Sequence, residues 1–170
     1  MNRAWRSIGC VLLLLYATVA LAAQTSPSGE REPRGPTTVT ADRLEVSLKE
    51  HRAIYSGNVV AKTTDLIVTA ERMEFDFDEK MEAVERMVAV GSVHISQTEG
   101  NKAAADRATY YVLQDKMVLE GHARAWGQGN MVNATRITLF IKEDRHVAEG
   151  DESERVTAVI VPRQEQGKAR

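Results

Sequence analysis

The sequence predicts an all-β fold built from about four copies of one strand unit of about thirty residues. Three observations carry this prediction. The motifs Ala41-Asp42-Arg43, Ala70-Glu71-Arg72, Ala105-Asp106-Arg107 and Ala134-Thr135-Arg136 recur along the chain. Apolar residues follow each motif at alternate positions: Leu44/Val46/Leu48, Met73/Phe75/Phe77, Ala108/Tyr110/Val112 and Ile137/Leu139/Ile141. Each unit then reaches a glycine (Gly57, Gly91, Gly121, Gly150), at 16, 21, 16 and 16 residues from the motif Ala. Alternation at period two marks a strand with one buried face. Self-similarity at a fixed spacing marks a repeat architecture.

The motif Ala and the next apolar residue lie three apart in each unit, so strict alternation would put them on opposite faces. A bulge at the Asp-Arg step restores both to one side. A corner at the same place in every strand folds the sheet over on itself. The expected architecture is therefore a jelly-roll-like or solenoid-like stack of antiparallel strands. After the first three glycines the chain resumes as strand, as in Ser92-Val93-His94-Ile95. The second unit is five residues longer than the others. Its segment Asp78 to Val88 is rich in helix formers but reads more simply as a long hairpin loop before a strand Met87 to Ile95.

The ends set the compartment. Arg3 and Arg6 precede an uncharged apolar run, Ile8 to Ala22, that closes on Ala20-Leu21-Ala22. That is the pattern of a cleaved secretory signal over 1–22, and the run is shorter than the roughly 20 residues a spanning helix needs. Residues 23–36 are rich in Ser, Pro, Gly and charge and read as a disordered leader. Residues 163–170 read as a disordered tail, leaving a folded domain over 37–162. Cleavage removes the single cysteine, Cys10, and with it all thiol chemistry. The mature chain then has 20 basic side chains, two fewer than the 22 of the full sequence, against 24 acids. That mildly acidic balance argues against a nucleic-acid ligand.

No catalytic or metal constellation emerges, so the chain is read as a non-enzyme without a cofactor. His51, His94, His122 and His146 are spread one per unit, with no close pair of the kind metal sites use. Glu74, Asp76 and Asp78 alternate with Met73, Phe75 and Phe77 and read as the solvent face of a strand. The serines sit in no nucleophile elbow, and no glycine-rich phosphate loop is present. The recurring Arg43, Arg72, Arg107 and Arg136 suit a structural salt bridge at the corner, or contact with lipid phosphates. The small Ala41, Ala70, Ala105 and Ala134 suit tight packing, or a groove for acyl chains.

Four segments carry a family resemblance: Val39-Thr-Ala-Asp-Arg-Leu-Glu-Val, Tyr55-Ser-Gly-Asn-Val-Val-Ala, Leu66-Ile-Val-Thr-Ala-Glu-Arg-Met and the closing Arg155-Val-Thr-Ala-Val-Ile-Val-Pro162. In this order, behind an export signal, they resemble the LptA (OstA-like) family of periplasmic lipopolysaccharide transport proteins. Thr37 and Thr38 depart from that family, which tends to carry an apolar residue there, and the loop after Phe77 differs in length. The resemblance implies a twisted β-jelly roll whose apolar interior shields the lipid A acyl chains of lipopolysaccharide between inner and outer membranes, contributing to outer-membrane assembly. It implies head-to-tail homo-oligomers and like-folded partners: an inner-membrane LptC-like and an outer-membrane LptD-like protein. Alternation selects the lipid-groove face, and the resemblance lends it that role: Val39, Ala41, Leu44, Val46, Met73, Phe75, Tyr110, Val112, Ile137 and Leu139. Two other readings compete. An uncleaved apolar segment would mark a membrane-anchored LptC-like component. A bactofilin-like structural repeat is not expected to carry an export signal.

Overall fold

The computed structural model describes residues 37–152 and 154–162, all within the unit Pro33–Arg170. The expected signal (1–22), leader (23–36) and tail (163–170) lie outside the described residues. Among those described, no helix is long and apolar enough to cross a membrane. Ten strands follow in order: β1 (Thr38–Thr40), β2 (Arg43–Ser47), β3 (Arg52–Lys62), β4 (Leu66–Phe77), β5 (Val84–Gln97), β6 (Lys102–Tyr111), β7 (Lys116–Gly127), β8 (Asn130–Phe140), β9 (Arg145–Glu149) and β10 (Thr157–Val159). They form one antiparallel sheet in the order β1-β3-β4-β5-β6-β7-β8-β10, with β2 also on β3 and β9 also on β8. The fold class is therefore all-β and antiparallel, with each Ala-Asp-Arg strand paired to the glycine strand that follows it.

Every long strand passes through a corner, and the corner splits the sheet into two halves. β1 and β10 border the first half, while β2 and β9 border the second. The register break sits on the glycine side of each pairing and not at the Asp-Arg step. Gly57-Asn58, Gly91-Ser92 and Gly121-His122 are the residues skipped between paired positions, and one acid or Thr135 faces each pair. Both members of each pair have positive φ, for example 82° at Gly91 and 47° at Ser92. Two residues opposing one is a bulge, which bends the strand and keeps the buried faces aligned on either side. Ala70 and Met73 are consequently both buried on one face, three residues apart.

The acid of each motif lies on the facing glycine and bonds the next side chain. Asn58 Nδ2 donates to Asp42 Oδ2 (2.9 Å) and Ser92 Oγ donates to Glu71 Oε1 (3.2 Å). His122 Nδ1 pairs with Asp106 Oδ2 (2.8 Å), which holds the exposed imidazole above its ordinary pKa. The fourth unit differs. Thr135 replaces the acid, its buried hydroxyl oxygen has no hydrogen-bond partner, and Gly150 lies in the loop that carries the chain from β9 to β10.

Three of the motif arginines make surface ion pairs: Arg43–Glu45 and Arg72–Glu74 at 2.9 Å, and Arg136–Glu120 at 2.7 Å. Turn residues complete the hairpins. Residues 78–83 form a turn and not a helix, and Asp78 Oδ1 accepts from the Glu82 and Ala83 amides. β5 begins at Val84, three residues before the strand start expected at Met87. The closing segment 155–162 is strand only over Thr157–Val159.

One cross-strand cluster on the outer face sets a pH dependence. Asp76 accepts from Arg52 and from Arg86, each at 2.7 Å. Burial raises the Asp76 pKa, but the two guanidinium bonds outweigh it and hold the carboxyl below its ordinary value of 3.8. Its stabilisation is therefore present above about pH 4 and is lost as the pH falls below that value. Asp76→Asn is expected to remove about 1 kcal/mol at neutral pH, after allowance for solvent screening. It should also flatten the acid limb of stability below pH 4, measured by urea unfolding across pH.

Candidate functional site

Directly opposed residues in an antiparallel pair share a face, so the register defines the interior rung by rung. In the first half one rung runs Val39–Ala61–Val68–Ile95–Ala103–Ala125–Val132–Ala158. At the corner come Ala41, Val59, Ala70, Val93, Ala105, Ala123 and Ala134, most of them fully enclosed. In the second half one rung runs Leu44–Tyr55–Met73–Ala89–Ala108–Leu119–Ile137–Ala148. The next runs Val46–Ala53–Phe75–Met87–Tyr110–Met117–Leu139–His146. No Asp, Glu, Lys or Arg stands on any of these rungs, and His146 at the outermost strand is the one titratable side chain other than tyrosine.

Nine of the ten residues selected from the sequence fall on this face: Val39, Ala41, Leu44, Val46, Met73, Phe75, Tyr110, Ile137 and Leu139. Val112 does not, because β6 ends at Tyr111 and Val112 begins the turn, its amide donating to the Glu85 carbonyl (3.0 Å). The Tyr110 hydroxyl donates to Asp115, a buried turn residue. Tyr55 and Phe75 meet edge to face at 5.4 Å. The sequence reading missed the most enclosed interior positions, Val59, Val93, Leu119 and Ala123, all within 1% of full burial. All four lie on glycine strands; Val59, Val93 and Ala123 are the first apolar residues after a Gly-X pair, whereas Leu119 lies two residues before Gly121 in an apolar run.

The interior is closed in the middle and open at the ends. Leu119, Val59, Ala123 and Ala134 are completely buried, so the two halves pack directly on one another there. Leu44 and Val46 face the same side but are 52% and 51% exposed, because no further strand covers β2. At the other end Ala158 is exposed and Ala148 half-buried. The two halves differ in lining: alanine and β-branched residues in the first, bulkier Met, Phe, Tyr and Leu in the second. The polar clefts lie elsewhere. One of about 290 Å³ is lined by Glu120, Thr135, Arg136 and Glu149, and one of about 420 Å³ by Arg52, Asp76, Arg86 and Tyr111.

No group of acids, histidines or cysteines able to hold a metal occurs among the described residues. His51 is a turn residue with φ of 49°, and His94 is exposed on a strand. Glu74 and Asp76 lie on the outer face and pair with arginines, as the alternation indicates. The site therefore offers apolar burial between two half-sheets, with an open edge at each end.

A crystal structure of LptH, described as the LptA homologous periplasmic component of the conserved lipopolysaccharide transport device from Pseudomonas aeruginosa, has a similar fold. It is 24% identical, with a TM-score of 0.66, over 75% of this chain and 96% of that one. No curated protein matches the chain. The sequence model of a family described as LptA/(LptD N-terminal domain) LPS transport protein matches residues 38–145. With that match spanning most of the folded region, the chain belongs to the LptA/LptD N-terminal domain family of lipopolysaccharide transport proteins.

Proposed function

We propose that this protein is exported to the periplasm and relays lipopolysaccharide by holding its acyl chains between the two half-sheets. One observation carries the reading: an uncharged apolar face runs unbroken across the whole sheet and is exposed at the β2 edge. Acyl chains cannot cross water unaided, since each buried methylene is worth about 0.8 kcal/mol. A continuous apolar lining offsets that cost at every position and needs no catalytic residue, so the reading is of a carrier and not an enzyme. The closed middle implies that the halves part as the lipid passes, with Leu44 and Val46 as the first contacts.

The unpaired outer edges fit assembly. Among the described residues β1 and β2 pair only with β3, and β9 and β10 only with β8. Exposed edges are normally a liability, but a bridging protein can use them by strand addition. Head-to-tail stacking with further copies, and with LptC-like and LptD-like domains at the two membranes, would join the apolar faces into one slide. The expected result for the purified protein is co-elution with lipopolysaccharide in gel filtration. Leu44→Glu with Val46→Glu should weaken that binding at least about tenfold while changing stability by less than about 0.5 kcal/mol per site. Absence of co-elution in the parent protein contradicts the reading.

A further inference from the structure

The outer face of the first half is unlike the outer face of the second. Two outer rungs cross the first half, from Thr38 through Trp126 to Val159 and from Thr40 through Arg124 to Thr157. Lys62, Lys102 and Arg124 stand on them, with His94, and no Asp or Glu does. The outer face of the second half mixes arginines with Glu45, Glu74, Asp76, Glu120 and Glu149. Asp65 and Glu99 border the first half in its turns, and Asp42, Glu71 and Asp106 border it at the corner, each bonded to the side chain after the facing glycine.

Apolar side chains are exposed on these two acid-free rungs. Trp126, Met131 and Val159 are consecutive on one rung and are 38%, 37% and 46% exposed. Lys102 adjoins Trp126 on the same rung, and Arg124 precedes it on the same side of β7. Neighbouring strands are about 4.8 Å apart, so Lys102, Trp126, Met131 and Val159 span about 14 Å. Val161 extends the patch beside Gly129, its amide donating to Asn130 Oδ1 (3.0 Å).

We propose that this outer patch docks the protein on an anionic phospholipid bilayer. Tryptophan has an apolar body and a polar N–H and favours the membrane–water interface. Lysine and arginine beside it meet lipid phosphates, each strengthening binding about fivefold near an anionic surface. Exposed apolar side chains beside cations, on rungs that carry no acid, match an anionic interface in both respects. Such contact would hold the edges of the fold close to the leaflet where lipid is handed over. It is separate from the groove, since these side chains point away from the interior.

The test is sedimentation of the purified protein with vesicles of phosphatidylcholine alone, and of phosphatidylcholine mixed with phosphatidylglycerol. The protein should sediment with the mixed vesicles only, and high salt should release it. Lys102→Glu with Arg124→Glu should weaken that binding at least about tenfold, and Trp126→Ser should weaken it as well. Circular dichroism should show both variants folded, and both should still co-elute with lipopolysaccharide, which separates this surface from the groove. Equal binding to neutral vesicles, no vesicle binding, or binding that survives the double reversal overturns the proposal. In the second case an acidic protein partner becomes the occupant of the patch.

Discussion

Leu119→Ala is expected to lower the free energy of unfolding by roughly 2–5 kcal/mol. Leu119 is fully buried where the two halves meet, between Ala108 and Ile137 on its rung. Its neighbours are small or rigid, so they have little means of filling the space that truncation leaves. The loss combines the transfer term with a residual cavity. Urea unfolding should show a lower midpoint at an unchanged slope. Leu113→Ala is the control, since Leu113 is 79% exposed in a turn and should change stability by less than about 0.5 kcal/mol.

Gly91→Val is the second large effect, expected at roughly 2–4 kcal/mol. Gly91 has φ of 82°, where a β-branched residue is strained. An added Cβ would also lie 2.6 Å from Glu71 Cδ and 2.9 Å from Glu71 Cβ. The glycine is thus required twice, by backbone conformation and by the carboxylate side chain lying on it. Gly100→Val separates the two causes. Gly100 has φ of 90° with nothing within 4 Å of an added Cβ, so that variant reports backbone strain alone. The difference between the two midpoints measures the acid-on-glycine contact that repeats at Gly57 and Gly121.

The strand repeat was legible because the Ala-Asp-Arg strands alternate cleanly. In β4, Met73, Phe75 and Phe77 are separated by two acids, so the interior face could be read directly. The glycine strands gave no such signal. Met87-Val88-Ala89-Val90 and Met117-Val118-Leu119 are apolar on both faces, because Val88 also packs on the outside, where it is 4% exposed. Periodicity cannot choose a face in such runs, which is why Leu119 was not legible as an interior residue. Val112 was misplaced by extending the alternation one step past the end of β6.

The corner was legible as a need but not as a place. The three-residue spacing required a bulge somewhere, and the acid step lay nearest in sequence. The bulge instead falls on the neighbouring strand, where glycine followed by Asn, Ser or His accepts positive φ more readily. Face was also easier to read than depth. Leu44 and Val46 point inward as the alternation indicates, yet they are half exposed because β2 borders the sheet. That exposure, invisible to any local pattern, is what makes them the expected first contacts for a lipid.

If acyl chains lie on the inward face, the period-two register allows a direct test. A photo-crosslinking residue placed at Phe75 or Tyr110 should label lipopolysaccharide, while the same residue at the adjacent outward position Glu74 should not. Labelling from Glu74 with none from Phe75 or Tyr110 would contradict the central claim.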